Sequence, residues 1–156
     1  MSGEMNPIFR KTLILAEAAT IIAVIAGILV PFDHGIWLVA YLLLVGTLAQ
    51  YLLVRGQMSL VSYVHQRVAI VEASLWAAGV LLVPMGVLIG FRLLVGIGSF
   101  ALLAALLVFW MNVRPVISPK LTSGASLEVV AYLGLLVFMT VSVFVGMGLS
   151  SDLPWL

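Results

Sequence analysis

The chain has 156 residues, of which 64% are hydrophobic and only 8% are charged. Soluble domains carry about 25% charged residues, so this composition excludes an ordinary soluble protein and indicates one that is largely surrounded by lipid. The net charge of +1 gives no sign of a nucleic-acid partner, and the lack of cysteine excludes disulfides and thiol chemistry.

Five apolar runs predict five transmembrane helices in an antiparallel, all-α bundle, because each run is close to the roughly 20 residues needed to cross a bilayer. The runs lie near residues 12–31, 36–54, 68–89, 93–113 and 127–149. They occupy most of the chain, so we expect a single membrane domain, 1–156, without a separate soluble part.

Turns and loops are predicted between the runs. Residues 31–35 contain a proline and a glycine, and residues 90–92 begin with a glycine. Both segments are therefore predicted as short turns on one side of the membrane. Residues 55–67 and 114–124 are longer and more polar, and they form loops on the other side.

The basic residues are distributed unequally between the two sides. Only Arg92 lies on the side of the short turns. The other six are Arg10, Lys11, Arg55, Arg67, Arg114 and Lys120. Because loops rich in lysine and arginine stay in the cytoplasm, we predict a cytoplasmic N-terminus, an external C-terminus and a multi-pass location in a cell membrane of the prokaryotic inner-membrane type.

Residues 12–54 and 67–113 share a weak pattern. Each segment has a glutamate early in its first helix, followed by a small residue and later by an Ala-Gly step before a proline. The spacing from glutamate to proline differs by two residues between the segments. Alanine, glycine, valine and leucine are so common here that a duplication and a chance likeness are equally compatible with the pattern.

Glu17 and Glu72 are the strongest candidates for a functional role. Each is expected about 7.5 Å inside its helix, at 1.5 Å per residue. A carboxylate at that depth must be protonated, paired or open to water. The polar partners expected at the same level are Gln50, Arg55, Arg67, Asn112 and Arg114. We interpret this polar layer first as a clamp between helices and second as a proton or cation site.

Small residues recur at steps of three or four along two predicted helices. Small side chains let helices approach closely in lipid, where no hydrophobic force drives them together. We therefore predict helix contacts at Ala16, Thr20, Ala23, Gly27, Gly86 and Gly90.

No catalytic, cofactor or metal site is predicted. His34 and His65 are expected on opposite sides of the membrane, about 30 Å apart, so they cannot hold a haem together. Leu15-Ala16-Glu17 resembles the glutamate segment of the small multidrug resistance transporters over three residues. The five-helix count and the scarcity of aromatic residues inside the membrane depart from that family, and the sequence is not assigned to it.

Three classes of function are therefore compared. The first is a non-catalytic, accessory subunit of a larger membrane complex, for example a respiratory or other energy-converting one. The second is a small homo-oligomeric, proton-coupled transporter or channel that uses the intramembrane carboxylates. The third is a membrane enzyme that acts on lipid or quinone, either of which would also suit the chain as a bound molecule. In every case the expected partners are the lipid bilayer and other membrane subunits or further copies of this chain, not nucleic acid.

Overall fold

The computed structural model describes residues 14, 17, 18, 20, 21, 24, 25, 27–29, 32–61, 64–123 and 126–152. These residues are almost all helical and include no strand. Four helices among them are long and apolar enough to cross a membrane: Gly35–Leu60, Gln66–Leu88, Arg92–Ser118 and Leu127–Gly148. The first predicted crossing, 12–31, lies partly outside the described residues, and those of its residues that are described are helical.

The chain divides into two compact units, one up to Tyr51 and the other from Leu52 onward. The helices are α1, Phe32–Tyr41; a π-helical segment, Leu42–Ala49; α2, Gln50–Leu60; α3, Gln66–Leu88; α4, Arg92–Ser123; and α5, Leu127–Asp152. Helix α4 packs against both α3 and α5.

Close packing in the first unit involves two of the predicted contact residues. A side chain on Gly27 would collide with Val39 of α1 and would lie 3.1 Å from the Gly35 carbonyl oxygen. The hydroxyl groups of Thr20 and Thr47 are hydrogen-bonded to each other. Absence of a side chain at Gly27 therefore allows the two helical segments to approach. The other predicted contacts of this stripe, Ala16 and Ala23, lie outside the described residues.

Two segments that flank the second predicted crossing, 36–54, are predicted as non-helical but are helical in the structure. The predicted turn at 31–35 is wrong from Phe32 onward, where α1 begins. Glycine is a turn signal in soluble proteins but is more frequent in transmembrane helices, so Gly35 lies within α1 instead of in a turn. Helix α2 also passes the predicted end at residue 54 and continues to Leu60.

Helix α4 likewise continues through the segment predicted as a loop, 114–124, and ends at Ser123. Pro115 and Pro119 were expected to end it, since proline cannot donate the backbone hydrogen bond of a helix. Val113, the last residue of the predicted crossing, and Ile117, within the extension, are buried on one face of the helix. Burial of that face outweighs the local cost of the prolines, because packing commonly overrides helix propensity.

A tight turn joins α3 to α4 close to the predicted position. Gly90 has a φ of +67°, and the Phe91 N–H donates to the Gly86 carbonyl at 2.8 Å while the Gly90 N–H donates to the Val87 carbonyl at 3.3 Å. This is the Schellman arrangement, in which glycine adopts the left-handed conformation after a helix. Gly90 is therefore a turn residue, and no described atom of this chain lies within 4 Å of where its Cβ would be. A contact of Gly90 with another chain stays a prediction.

Glycines bring α3 and α4 close together along their length. A Cβ on Gly86 would lie 2.7 Å from the backbone nitrogen of Val95, and one on Gly79 would lie 2.8 Å from the Gly98 carbonyl oxygen. A Cβ on Gly98 would in turn lie 2.8 Å from the backbone nitrogen of Val83. The two helices form a hairpin in which backbone packs directly on backbone.

An intramembrane polar cluster as the candidate functional site

Glu72 is a buried carboxyl group in an apolar helix. It lies six residues after Gln66, the first residue of α3, which is about 9 Å along the helix. Its side chain is only 1% exposed. Oε1 accepts a hydrogen bond from Gln57 Nε2 at 3.0 Å and another from Asn112 Nδ2 at 2.6 Å. One carboxyl oxygen therefore joins three helices, α2, α3 and α4.

Two buried aromatic residues lie next to the residues of this hydrogen-bond network. Trp76 lies one turn after Glu72 on the same face of α3, and its ring meets that of Phe109 edge to face at 6.3 Å. Tyr132 of α5 is buried, and its ring lies against Gly56, the residue before Gln57. We call Gln57, Glu72, Trp76, Asn112 and Tyr132 the Glu72 cluster.

The local sequence accounts for these positions. Gly56 precedes Gln57 and leaves room for the ring of Tyr132, since a Cβ on Gly56 would lie 2.7 Å from Tyr132 Cε2. Phe109 and Asn112 are three residues apart on α4 and therefore share the face that meets Trp76 and Glu72. Helix spacing thus gathers the cluster from four separate elements.

Four polar atoms of the cluster have no hydrogen-bond partner among the described residues: Glu72 Oε2, Gln57 Oε1, Trp76 Nε1 and Tyr132 OH. Their side chains are at most 4% exposed. A buried polar group without a partner costs about 1–3 kcal/mol. Glu72 Oε1 thus accepts two hydrogen bonds, whereas the four unpartnered atoms could form further ones.

The structure brings together only part of the predicted polar layer. Glu72 and Asn112 are in contact, whereas Glu17 is exposed. Gln50 is buried and belongs to the first unit. The predicted arginines are also exposed: Arg55, Arg67 and Arg114.

The partners of Glu72 Oε1 are amides, not guanidinium groups. Long arginine side chains can place their charge in water or among headgroups while their stems stay in the apolar layer. An amide satisfies the carboxyl oxygen without a second buried charge, whose desolvation would be costly. Electrostatic attraction to a carboxylate is therefore a poor guide to its partner at this depth.

Two members of the site, Gln57 and Tyr132, are not predicted from the sequence. The predicted crossing 36–54 ends before Gln57 and therefore places this residue in a loop. Its position seven residues after Gln50, on a face that also buries Leu53 and Leu60, is a helical signal that could have found it. Tyr132 had no distinguishing sequence signal.

His65 has a structural position at the start of α3. Its Nδ1 accepts a hydrogen bond from the Arg67 backbone N–H at 3.4 Å, as a helix cap does. In the part of the chain that the structure describes, no group of three or more histidine, cysteine, aspartate or glutamate side chains could hold a metal ion. The side chain of His34 is outside that part.

Comparison with protein-family models, curated proteins and solved structures finds no match to this chain.

Proposed function

We propose that this protein is a five-crossing protein of the cell membrane that serves as an accessory, non-catalytic subunit of a larger membrane complex. Four long apolar helices support the membrane location. The proposed antiparallel bundle adds the predicted crossing at 12–31, with the N-terminus in the cytoplasm.

The observation that carries the subunit proposal is a contrast between glycines. On α3 the glycines Gly79 and Gly86 are covered by a neighbouring helix of the same chain. On α5, Gly134 and Gly146 are exposed, and no described atom lies within 4 Å of where either Cβ would be. Glycines in membrane helices permit close approach of a second helix. The exposed glycines on α5 therefore support a contact between this helix and a helix of another subunit.

Gentle-detergent purification from the native membrane tests this proposal. We expect other protein chains to copurify, and Gly146→Leu to reduce their recovery at least several-fold, because a bulky side chain separates closely packed backbones. Val145→Leu is the matched control on an exposed neighbouring position, and it should retain the partners. Recovery of the wild-type chain alone, or only with copies of itself, would contradict the subunit proposal.

The proposed orientation is testable because the natural chain contains no cysteine. Single replacements Gln66→Cys, Phe91→Cys and Ser126→Cys lie at exposed positions near helix ends. A membrane-impermeant maleimide added to intact cells should label the cysteine at 91 and spare those at 66 and 126 until the cells are opened. The reverse labelling pattern would overturn the orientation.

A proton-coupled transporter or channel is the second candidate. The observation in its favour is the unpartnered Oε2 of Glu72, since structural clamping uses only Oε1. Buried ionisable groups within membrane helices commonly mark ion pathways and proton relays. This candidate requires that the Glu72 cluster bind a cation.

A further inference from the structure

We propose that the Glu72 cluster binds one monovalent cation, a proton or Na⁺, at the carboxyl oxygen Oε2 of Glu72 and the unpartnered oxygens of Gln57 and Tyr132. The site requires neither a partner subunit nor transport across the membrane. It is a property of the second unit of the chain alone.

Charge balance favours a single positive charge. Among the buried residues that the structure describes, Glu72 is the one acidic or basic side chain, and the buried Gln57 and Tyr132 carry an amide and a phenol. An ionised carboxylate in a medium of low dielectric constant is stabilised strongly by a compensating charge. One proton or one Na⁺ makes the cluster neutral, whereas a divalent ion would leave a buried positive charge.

The arrangement of hydrogen bonds leaves oxygen ligands for that cation. Gln57 Nε2 and Asn112 Nδ2 both donate to Glu72 Oε1 and hold the carboxyl group in place. Glu72 Oε2, Gln57 Oε1 and Tyr132 OH remain without partners among the described residues. Carboxylate, amide and hydroxyl oxygens are hard ligands suited to hard cations such as Na⁺.

A proton would use the same atoms differently. Bound to Oε2, it would convert this oxygen into a donor, and the unpartnered oxygens of Gln57 and Tyr132 would be the acceptors that the proposal requires. The buried titratable group on the neighbouring helix α5 is Tyr132, whose ring lies against Gly56, the residue before Gln57. The contacts from α2 and α4 are the neutral amides of Gln57 and Asn112. Arg55, Arg67, Arg114 and His65 are exposed.

Thermal unfolding of the purified full-length chain in detergent tests the site and separates the two cations. Ligands that bind only the folded state raise the unfolding temperature with concentration. If the site takes Na⁺, replacing choline chloride by NaCl at constant ionic strength should raise the unfolding temperature by about 4 °C or more, and Glu72→Gln should abolish the rise. If it takes a proton, Na⁺ should have no effect, while acidification should stabilise the wild type and not Glu72→Gln.

Two further variants complete the experiment. Glu128→Gln, in the exposed first turn of α5, is the matched control and should keep the wild-type response. Tyr132→Phe removes one proposed ligand oxygen, so it should weaken the apparent affinity for the bound cation on the order of tenfold. This second variant tests the site even if Glu72→Gln fails to fold. A wild-type protein that responds to neither Na⁺ nor pH, or a response that persists in Glu72→Gln, would overturn the proposal.

Discussion

Glu72→Leu is expected to lower the free energy of unfolding by about 2–4 kcal/mol. The carboxyl oxygen Oε1 accepts hydrogen bonds from both Gln57 and Asn112. Leucine offers no acceptor, so two amide groups would be left buried without this partner. Glu72→Gln should cost less, about 1 kcal/mol, because its amide oxygen can still accept hydrogen bonds. Reversible unfolding in mixed micelles measures these differences.

Glu128→Leu is the control for this series. Glu128 lies in the exposed first turn of α5, where its interaction with the helix dipole contributes at most about 1 kcal/mol. If Glu72→Leu and Glu128→Leu lower stability equally, the hydrogen bonds of the Glu72 cluster do not clamp the helices.

Gly79→Leu is expected to disrupt the α3–α4 hairpin, with a loss of stability of about 3 kcal/mol or more. Even the first carbon of the new side chain would lie 2.8 Å from the Gly98 carbonyl oxygen. That oxygen belongs to the backbone of α4, so the helices themselves must separate. Thermal unfolding and the yield of folded protein in detergent are the measurements.

Gly96→Leu provides a control on α4 of the same hairpin. No described atom lies within 4 Å of where a Gly96 Cβ would be, so leucine should fit there and change stability by less than about 1 kcal/mol. Similar losses for Gly79→Leu and Gly96→Leu would show that helix composition, rather than close packing, decides the stability of the hairpin.

The sequence was a good guide to the apolar helices and a poor guide to where they end. Long hydrophobic runs identify membrane helices because the bilayer fixes their length. Helix ends depend in addition on packing outside the apolar run. Pro115 and Pro119 read locally as a loop, yet burial of Val113 and Ile117 keeps this segment helical.

The sequence predicts one residue of the candidate site, Glu72, but not the set of side chains that surrounds it. Glu72 stands out because a carboxyl group within an apolar run is costly and therefore needs a reason. Its contacts depend on how α2, α4 and α5 are rotated and shifted relative to α3, and a single sequence does not encode these offsets in any short pattern. Glu17 shows the same limit. It has the same place in segment 12–54 as Glu72 has in segment 67–113, yet Glu17 is exposed and Glu72 is buried.

The length of α4 has a consequence for what the protein presents to the aqueous phase. Its 32 residues measure about 48 Å, against a hydrocarbon core of about 30 Å. Even a tilt of about 40° would leave a span of about 37 Å along the membrane normal. The turn at Gly90 ties one end of α4 to the end of α3, so the excess emerges at the other end. As a membrane-spanning helix, α4 would therefore extend several ångströms beyond the lipid tails at its Ser123 end.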